Sequence, residues 1–169
     1  IKTKNPKSKA KARIANEIAW IKILNKHNIG PKLLFSNRKY FAYEFVEGDF
    51  ILDFIEKSKK DRVIKTIKNV FNQLYIMDSL KVDKEEMHHP LKHIIIDKNP
   101  VLIDFERCKK TKNPKNITQF CQFIMSKGTR ALLKQKGIEL NKDRIINLAK
   151  AYKKEQTKSN LNKILRELG

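Results

Sequence analysis

Apolar residues recur between Val63 and Met77 at Val63, Ile67, Val70, Leu74 and Met77, with spacings of 4, 3, 4 and 3. That period keeps all five side chains on one face of a helix, which predicts a helix over 61–80 with Asp61 as its N-cap. A helix of this length is about 30 Å long and must lay its apolar stripe against a second layer. The chain supplies one directly downstream. After a polar loop at 81–93, Ile94-Ile95-Ile96 and Val101-Leu102-Ile103 flank Asp97-Lys98-Asn99-Pro100. Two β-branched runs around a turn-forming tetrapeptide make a hairpin. Long helix, loop, hairpin is the frame that any fold of this chain must accommodate.

The remaining segments fill in around it. Residues 8–26 read as a helix carrying Ile14, Ile18, Ile21 and Leu24 on roughly one face, stopped by Gly30-Pro31. Residues 32–36 and 40–46 form an expected antiparallel pair across Ser36-Asn37-Arg38, and a short amphipathic stretch follows at 49–57. Helices are expected at 116–136, 143–152 and 160–168. The order defines an α+β fold that becomes helix-rich toward the C-terminus. Neither an internal repeat nor a Ser/Gly linker divides the chain.

Charge narrows the environment. The 169 residues hold 38 basic and 18 acidic side chains, a formal net charge of +20, with 40% hydrophobic content that argues against wholesale disorder. A field this positive attracts polyanions. Yet 31 of the basic residues are Lys and 7 are Arg, beside 21 Ile and 14 Asn. That bias is compositional in part, and the scarcity of Arg weighs against sequence-specific nucleic-acid recognition. No apolar run reaches the roughly 18 residues of a membrane span. Cys108 and Cys121 lack the paired spacing of a zinc site or a disulfide scaffold and are expected to pack as small apolar groups. A reducing, cytoplasmic setting without membrane attachment is expected.

The hairpin runs into Asp104-Phe105-Glu106, and Glu86 lies 18 residues before Asp104 in the preceding loop. This order resembles the core of a protein kinase, where a long helix precedes the catalytic loop and a hairpin carries the metal-binding Asp of Asp-Phe-Gly. More closely, Lys84-Glu85-Glu86, His89-Pro90-Leu91-Lys92-His93, Asp104-Phe105-Glu106 and Asn116-Ile117-Thr118 resemble a branch of archaeal kinases related to the RIO and lipopolysaccharide-kinase types. That branch carries His-Gly-Glu, Arg-Pro-x-Lys-His, Asp-Phe-Glu and Asn-Val-Thr. The chain departs from it at Lys84 and Glu85, which replace His-Gly, and Leu91 occupies the slot of the usual Asn five residues after the catalytic carboxylate. The resemblance implies that Glu86 orients the acceptor hydroxyl, that Asp104 binds Mg²⁺, and that Lys92 or His93 stands at the second metal position. A Lys there contacts phosphate and a His binds metal.

The N-terminal segment extends the resemblance. Ile1-Lys2 is similar to the end of the Val-Ala-Ile-Lys strand, making Lys2 the phosphate-contacting lysine, with Lys4 as a substitute; Glu17 is the implied ion-pair partner. From the residues alone, Lys2 is equally one of a cluster with Lys4, Lys7, Lys9 and Lys11, a solvated basic tail. Tyr43-Glu44-Phe45-Val46-Glu47-Gly48 resembles the kinase hinge, which implies Tyr43 as gatekeeper and the Glu44 carbonyl and Val46 amide facing adenine. The implied architecture is a protein-kinase-like fold with a partial N-lobe at 1–48 and a helical C-lobe at 49–169. No glycine-rich loop precedes Lys2, and Ile1 is not a natural initiator, so the sequence is expected to be the remainder of a longer protein.

Three functional expectations follow. The first is an atypical kinase transferring the ATP γ-phosphoryl group to a protein Ser/Thr hydroxyl, with Mg²⁺ as cofactor. The second is a catalytically weak kinase-like module that binds nucleotide and RNA or another acidic partner. The third changes the acceptor to a small molecule. The segment 107–138 holds nine basic residues and no acidic one, a candidate RNA or phosphate surface or simply a solvated face. A zinc site of His88, His89 and His93 with Glu85 or Glu86 is a competing arrangement.

Overall fold

A computed structural model describes residues 1–3, 13–37 and 40–169. The expectations placed on Lys4, Lys7, Lys9, Lys11 and Arg38, and on the start of the first helix, lie outside the described residues. The fold is α+β, with small antiparallel sheets and seven helices among the described residues.

The central helix, α3, spans Lys60–Ser79, and all five stripe residues are buried. Burial of each such side chain stabilises by roughly 1.5–3 kcal/mol, so this face anchors the molecule. Its start differs from expectation: Lys59 is the N-cap residue, without a side-chain cap, and Asp61 lies in the first turn. Asp61 there still complements the positive end of the helix dipole. Helix α4 (Asn116–Ile124) packs on α3 through an edge-on contact of Phe71 with Phe120, ring centroids 4.9 Å apart.

The single helix expected over 116–136 is two. It breaks after Ile124, and α5 (Lys127–Gln135) begins on Ser126, whose hydroxyl accepts from the Thr129 amide. A Ser at that position caps a new helix and ends the old one. Helices α6 (Lys142–Lys154) and α7 (Lys158–Arg166) complete the helical part, and α7 packs on both α3 and α6.

The hairpin forms as β6 (Ile94–Ile96) and β7 (Pro100–Leu102), pairing Ile94 with Leu102. A third strand, β4 (Asp49–Phe50), joins its outer edge, Asp49 opposite Ile96, and runs directly into α2 (Ile51–Lys57). Gly48 makes that junction possible. At φ +139 its backbone passes so close to the hairpin that a Cβ would stand 2.3 Å from the Ile96 carbonyl oxygen.

At the N-terminal end, β1 (Lys2–Thr3), β2 (Leu33–Ser36) and β3 (Tyr40–Tyr43) form a sheet in the order β1-β3-β2, with Lys2 opposite Phe41. The second strand of the expected pair ends at Tyr43 rather than 46. Helix α1 covers Arg13–Asn25, ending before Gly30-Pro31 because Asn25 builds the turn itself. Its amide donates to the Ile29 and Pro31 carbonyls, and its oxygen accepts from the Leu33 amide. Last, β5 (Val82–Asp83) pairs with β8 (Lys109–Lys110), holding the loop after α3 beside the segment after Asp104.

Candidate functional site

Pairing of β1 with β3 carries Lys2 over α1. There its ammonium lies 2.7 Å from Glu17 Oε2 and donates to Asp104 Oδ1 at 3.1 Å, joining residues 102 apart in sequence. Glu17 is inside the protein, at 2% side-chain exposure, whereas Lys2 and Asp104 are about one-third exposed, at 33% and 35%. Burial works against the Lys2 charge, but Glu17 and Asp104 outweigh it and hold the ammonium above its usual range. Burial pushes Glu17 upward, and Lys2 offsets only part of that. Asp104 goes the other way: Lys2, Lys84 and His93 overcome its burial and keep the carboxyl below its usual range.

The Asp104 backbone is fixed from beneath. Its φ is +63, a left-handed conformation that Asp tolerates better than most residues. Lys84 is fully buried and donates its ammonium to the Asp104 carbonyl, with the same Nζ 5.3 Å from the Phe105 ring centroid. Phe105 is itself buried, against a turn where Gly30 leaves room; a Cβ at Gly30 would lie 2.7 Å from the ring. Desolvation pulls the Lys84 pKa down, countered by surrounding negative groups that include Asp104 and Glu86.

The loop from 83 to 93 brings the other two groups in. Asp83 Oδ1 accepts from the Glu85 amide, and Glu85 takes a left-handed φ of +69. Such a φ is one that Gly adopts without steric cost and Glu does not. The Glu85 side chain turns outward to an ion pair with Lys109. Glu86 turns inward, with Oε2 3.4 Å from His93 Nε2 and Oε1 3.3 Å from Arg107 Nη1. His93 Nδ1 lies 3.9 Å from Asp104 Oδ2. Burial and the Lys84 charge lower the His93 pKa, which favours the neutral imidazole that can ligate a metal.

A second polar cluster fastens this loop to the core. Asn116 donates its side-chain amide to Asp78 Oδ1 at 2.8 Å and to the Val82 carbonyl at 2.6 Å, and it accepts from the Lys84 amide at 2.9 Å. Asp78 also accepts from the Asn116 amide and from the Tyr152 hydroxyl. The carboxylate, four donors and the loop backbone thus form one buried unit joining α3, α4 and α6, with the Ile117 amide as the fourth donor.

Ligand atoms of Glu86, His93 and Asp104 lie within 4.8 Å of one another, as do those of Glu17, Asp104 and Glu106. Glu86 Oε2 and His93 Nδ1 make no hydrogen bond among the described residues. Two carboxylates and one imidazole around a common opening suit a divalent cation, and the two orphaned atoms fit a ligand role. His88 and His89, by contrast, are exposed and line separate grooves, so the three-histidine zinc arrangement does not assemble.

The structure leaves other expected residues apart from this cluster. Lys92 is exposed, and no described ion pair joins it to Asp104 or Glu86. Glu44 and Val46 line a cavity of about 620 Å³ with Gly30, Pro31 and Asp97, none of which belongs to the charged cluster. The Glu44 amide donates to the Lys32 carbonyl, which leaves its own carbonyl and the Val46 amide, the groups expected to face adenine, untouched by that bond; half-buried Tyr43 shares the field of Glu17 and Lys2. Four of the nine bases of 107–138 have partners: Arg107 and Lys109 pair with Glu86 and Glu85, and Lys110 and Lys136 donate to backbone carbonyls. Both thiols are buried, and burial pushes Cys108 and Cys121 up to about 12, outside the reactive range.

Three site residues escaped the sequence reading as site members: Lys84, Glu106 and Arg107. Glu106 Oε1 meets Arg13 Nη1 at 3.2 Å, and its carbonyl accepts from Asn16 at 2.8 Å, tying α1 to the segment after Asp104. Its place in the Asp-Phe-Glu triplet was the available signal. Lys84 stands at the start of the Lys-Glu-Glu triplet, but its bond to a backbone carbonyl left no signal of its role.

No protein-family model matches the chain. It is similar to an uncharacterized protein of Methanocaldococcus jannaschii, 26% identical over 114 residues, covering 66% of this chain and 98% of that protein. No helix among the described residues is long and apolar enough to cross a membrane.

Proposed function

We propose that the chain belongs to an atypical kinase of protein-kinase-like fold that transfers the ATP γ-phosphoryl group to a protein Ser/Thr hydroxyl. The observation that carries this reading is the Lys2 ammonium held between Glu17 and Asp104 at 2.7 and 3.1 Å, with Glu86 and His93 at the same opening. Lys2 is exposed enough to meet phosphate oxygens, and buried Glu17 fixes its direction. Asp104 and His93 are the residues that would hold Mg²⁺. Bound Mg-ATP supplies a transferable phosphoryl group whose charge the ion offsets. Glu86 orients the acceptor hydroxyl and takes its proton.

A second reading, nucleotide binding with little turnover, is favoured by one feature. Glu86 is already engaged by Arg107 and faces His93, so the acceptor must compete with both. Calorimetric titration of the full-length protein with ATP, with and without Mg²⁺, tests what both readings share. Mg²⁺-dependent binding that disappears in Asp104→Ala is expected; no ATP binding under either condition refutes both. Incorporation of labelled phosphate then separates enzyme from binding module.

A further inference from the structure

A groove of about 760 Å³ lies between α4 and α6, and neither Lys2, Glu17, Glu86, His93 nor Asp104 lines it. Helix α6 contributes Lys142, Ile145, Ile146, Ala149, Lys150 and Lys153. Their spacing places all six on one face over three turns, a length of about 16 Å. Across from them, α4 and its N-cap contribute Cys121 and Met125 to the floor and Lys115 to the rim.

The floor and the rim differ in chemistry. Cys121, Met125 and Ile145 are buried, and Ile146 and Ala149 are half-exposed, so the bottom of the groove is apolar. Lys115, Lys142, Lys150 and Lys153 are exposed around it. Among the described residues no acidic one lines the groove. Among the described residues none of these four lysines enters an ion pair, whereas Lys2, Lys32, Lys57 and Lys109 all do. Four uncompensated cations around an apolar floor complement a ligand that is acidic along its edges and apolar in the middle.

We propose that this groove docks an acidic amphipathic helix of a partner protein. Three turns of α6 match a helix laid along the groove, its apolar side chains on Ile146 and Ala149 and its carboxylates meeting the lysine rim. RNA fits less well. Among the described residues the lining offers no aromatic ring on which a base can stack and no Arg for bidentate phosphate contact. One end of the groove reaches the loop that carries Glu86: His88 lines it, and Gln119 in its wall accepts from the Met87 amide at 3.0 Å. The docking site stands independently of the phosphotransferase reading.

The test uses the full chain and two fluorescent peptides of one composition, rich in Glu and Leu. In one the two residue types segregate on opposite helix faces; in the other the order is scrambled. Fluorescence anisotropy should show the segregated peptide binding at least about tenfold more tightly. Lys142→Glu with Lys150→Glu should weaken it by a further factor of about ten or more, as charge reversal at a docking rim does. Ala149→Glu should weaken it comparably without touching the lysines, which separates floor from rim. Thermal melts confirm that the variants fold. Amide exchange on the unaltered protein provides the mutation-free measurement, with added protection expected in α4 and α6. Equal binding of the two peptides overturns the proposal, and so does protection confined to other elements. Oligouridylate binding that is lost in the lysine variant, with no peptide preference, overturns it in favour of a nucleic-acid surface.

Discussion

Asp104 and Asp78 are the same side chain in two settings. Asp78 is 1% exposed and receives four hydrogen bonds from neutral groups on α4 and Tyr152. Asp104 is one-third exposed and faces Lys2 and His93. Their acidities move in opposite directions, Asp78 up to about 6 through burial and Asp104 down through its cations. Neutral dipoles only partly replace water around Asp78, whereas full charges do more than replace it around Asp104. The buried carboxylate is therefore a fastening, and the exposed one is the group we propose to bind metal. Each of the following experiments separates the two or fails to.

The largest effect is expected at Asn116. Loss of its side chain strips one donor from Asp78 and leaves the Lys84 amide and Val82 carbonyl unpaired. Asn116→Ala should cost about 3–4 kcal/mol, since each buried group left unsatisfied costs about 1–3. Urea denaturation checks it; a cost below about 1 kcal/mol would show the network to be dispensable.

Next comes the pH dependence of Asp78. Its folded pKa of about 6 exceeds the ordinary 3.8. The folded state therefore holds the proton more tightly, and Asp78's contribution is greatest below about pH 4 and lost as pH rises through about 6. Two units correspond to about 3 kcal/mol. Stability measured relative to Asp78→Asn should fall by about that amount across this window; a flat difference would contradict the contrast with Asp104.

Smaller again is Glu86. Glu86→Gln should lower phosphoryl transfer at least about tenfold, or about 1.4 kcal/mol in barrier, with ATP affinity nearly unchanged. Glu85→Gln should be close to silent, because that side chain pairs with exposed Lys109 outside the cluster. Turnover that depends on Glu85 instead would reverse the assignment. The smallest effect on folding belongs to Asp104→Asn, which keeps a side chain suited to the left-handed backbone, below about 1 kcal/mol. The same variant should lose all Mg²⁺ dependence of nucleotide binding. A large loss of stability would make Asp104 a second Asp78.

What the sequence discloses follows the physics of each feature. Helix α3 and the hairpin are legible because their apolar side chains repeat over enough residues to establish a period. Strands β1, β4, β5 and β8 have two residues each, too few for any alternation, and exist only through their partners. The break at Ser126 has its own signal, a capping Ser followed by the polar run Lys127-Gly128-Thr129-Arg130 between Phe123-Ile124-Met125 and Ala131-Leu132-Leu133, which a single helix over 116–136 ignores. Residues 2, 17, 86, 93 and 104 were legible through resemblance to a known order of motifs, and the structure gathers them at one opening. Lys84 was not, for a buried lysine bonded to a backbone carbonyl leaves no pattern in its neighbours. Nor was Asn116's tie to the loop, although its triplet was visible.

Gly48 has a mechanical consequence. On its C-terminal side the chain is clamped to the hairpin by the pairing of Asp49 with Ile96, and on the other side the Glu44 amide is bonded to the Lys32 carbonyl. Phe45, Val46, Glu47 and Gly48 itself lie between the clamps. Any rotation of the β1-β3-β2 sheet against the hairpin must turn on the backbone angles of those four residues, with Asn16 and Arg13 tethering the opposite end through Glu106. Lys2 lies on one side of that link and Asp104 on the other, so the elements carrying ammonium and carboxylate are joined by a pivot four residues long.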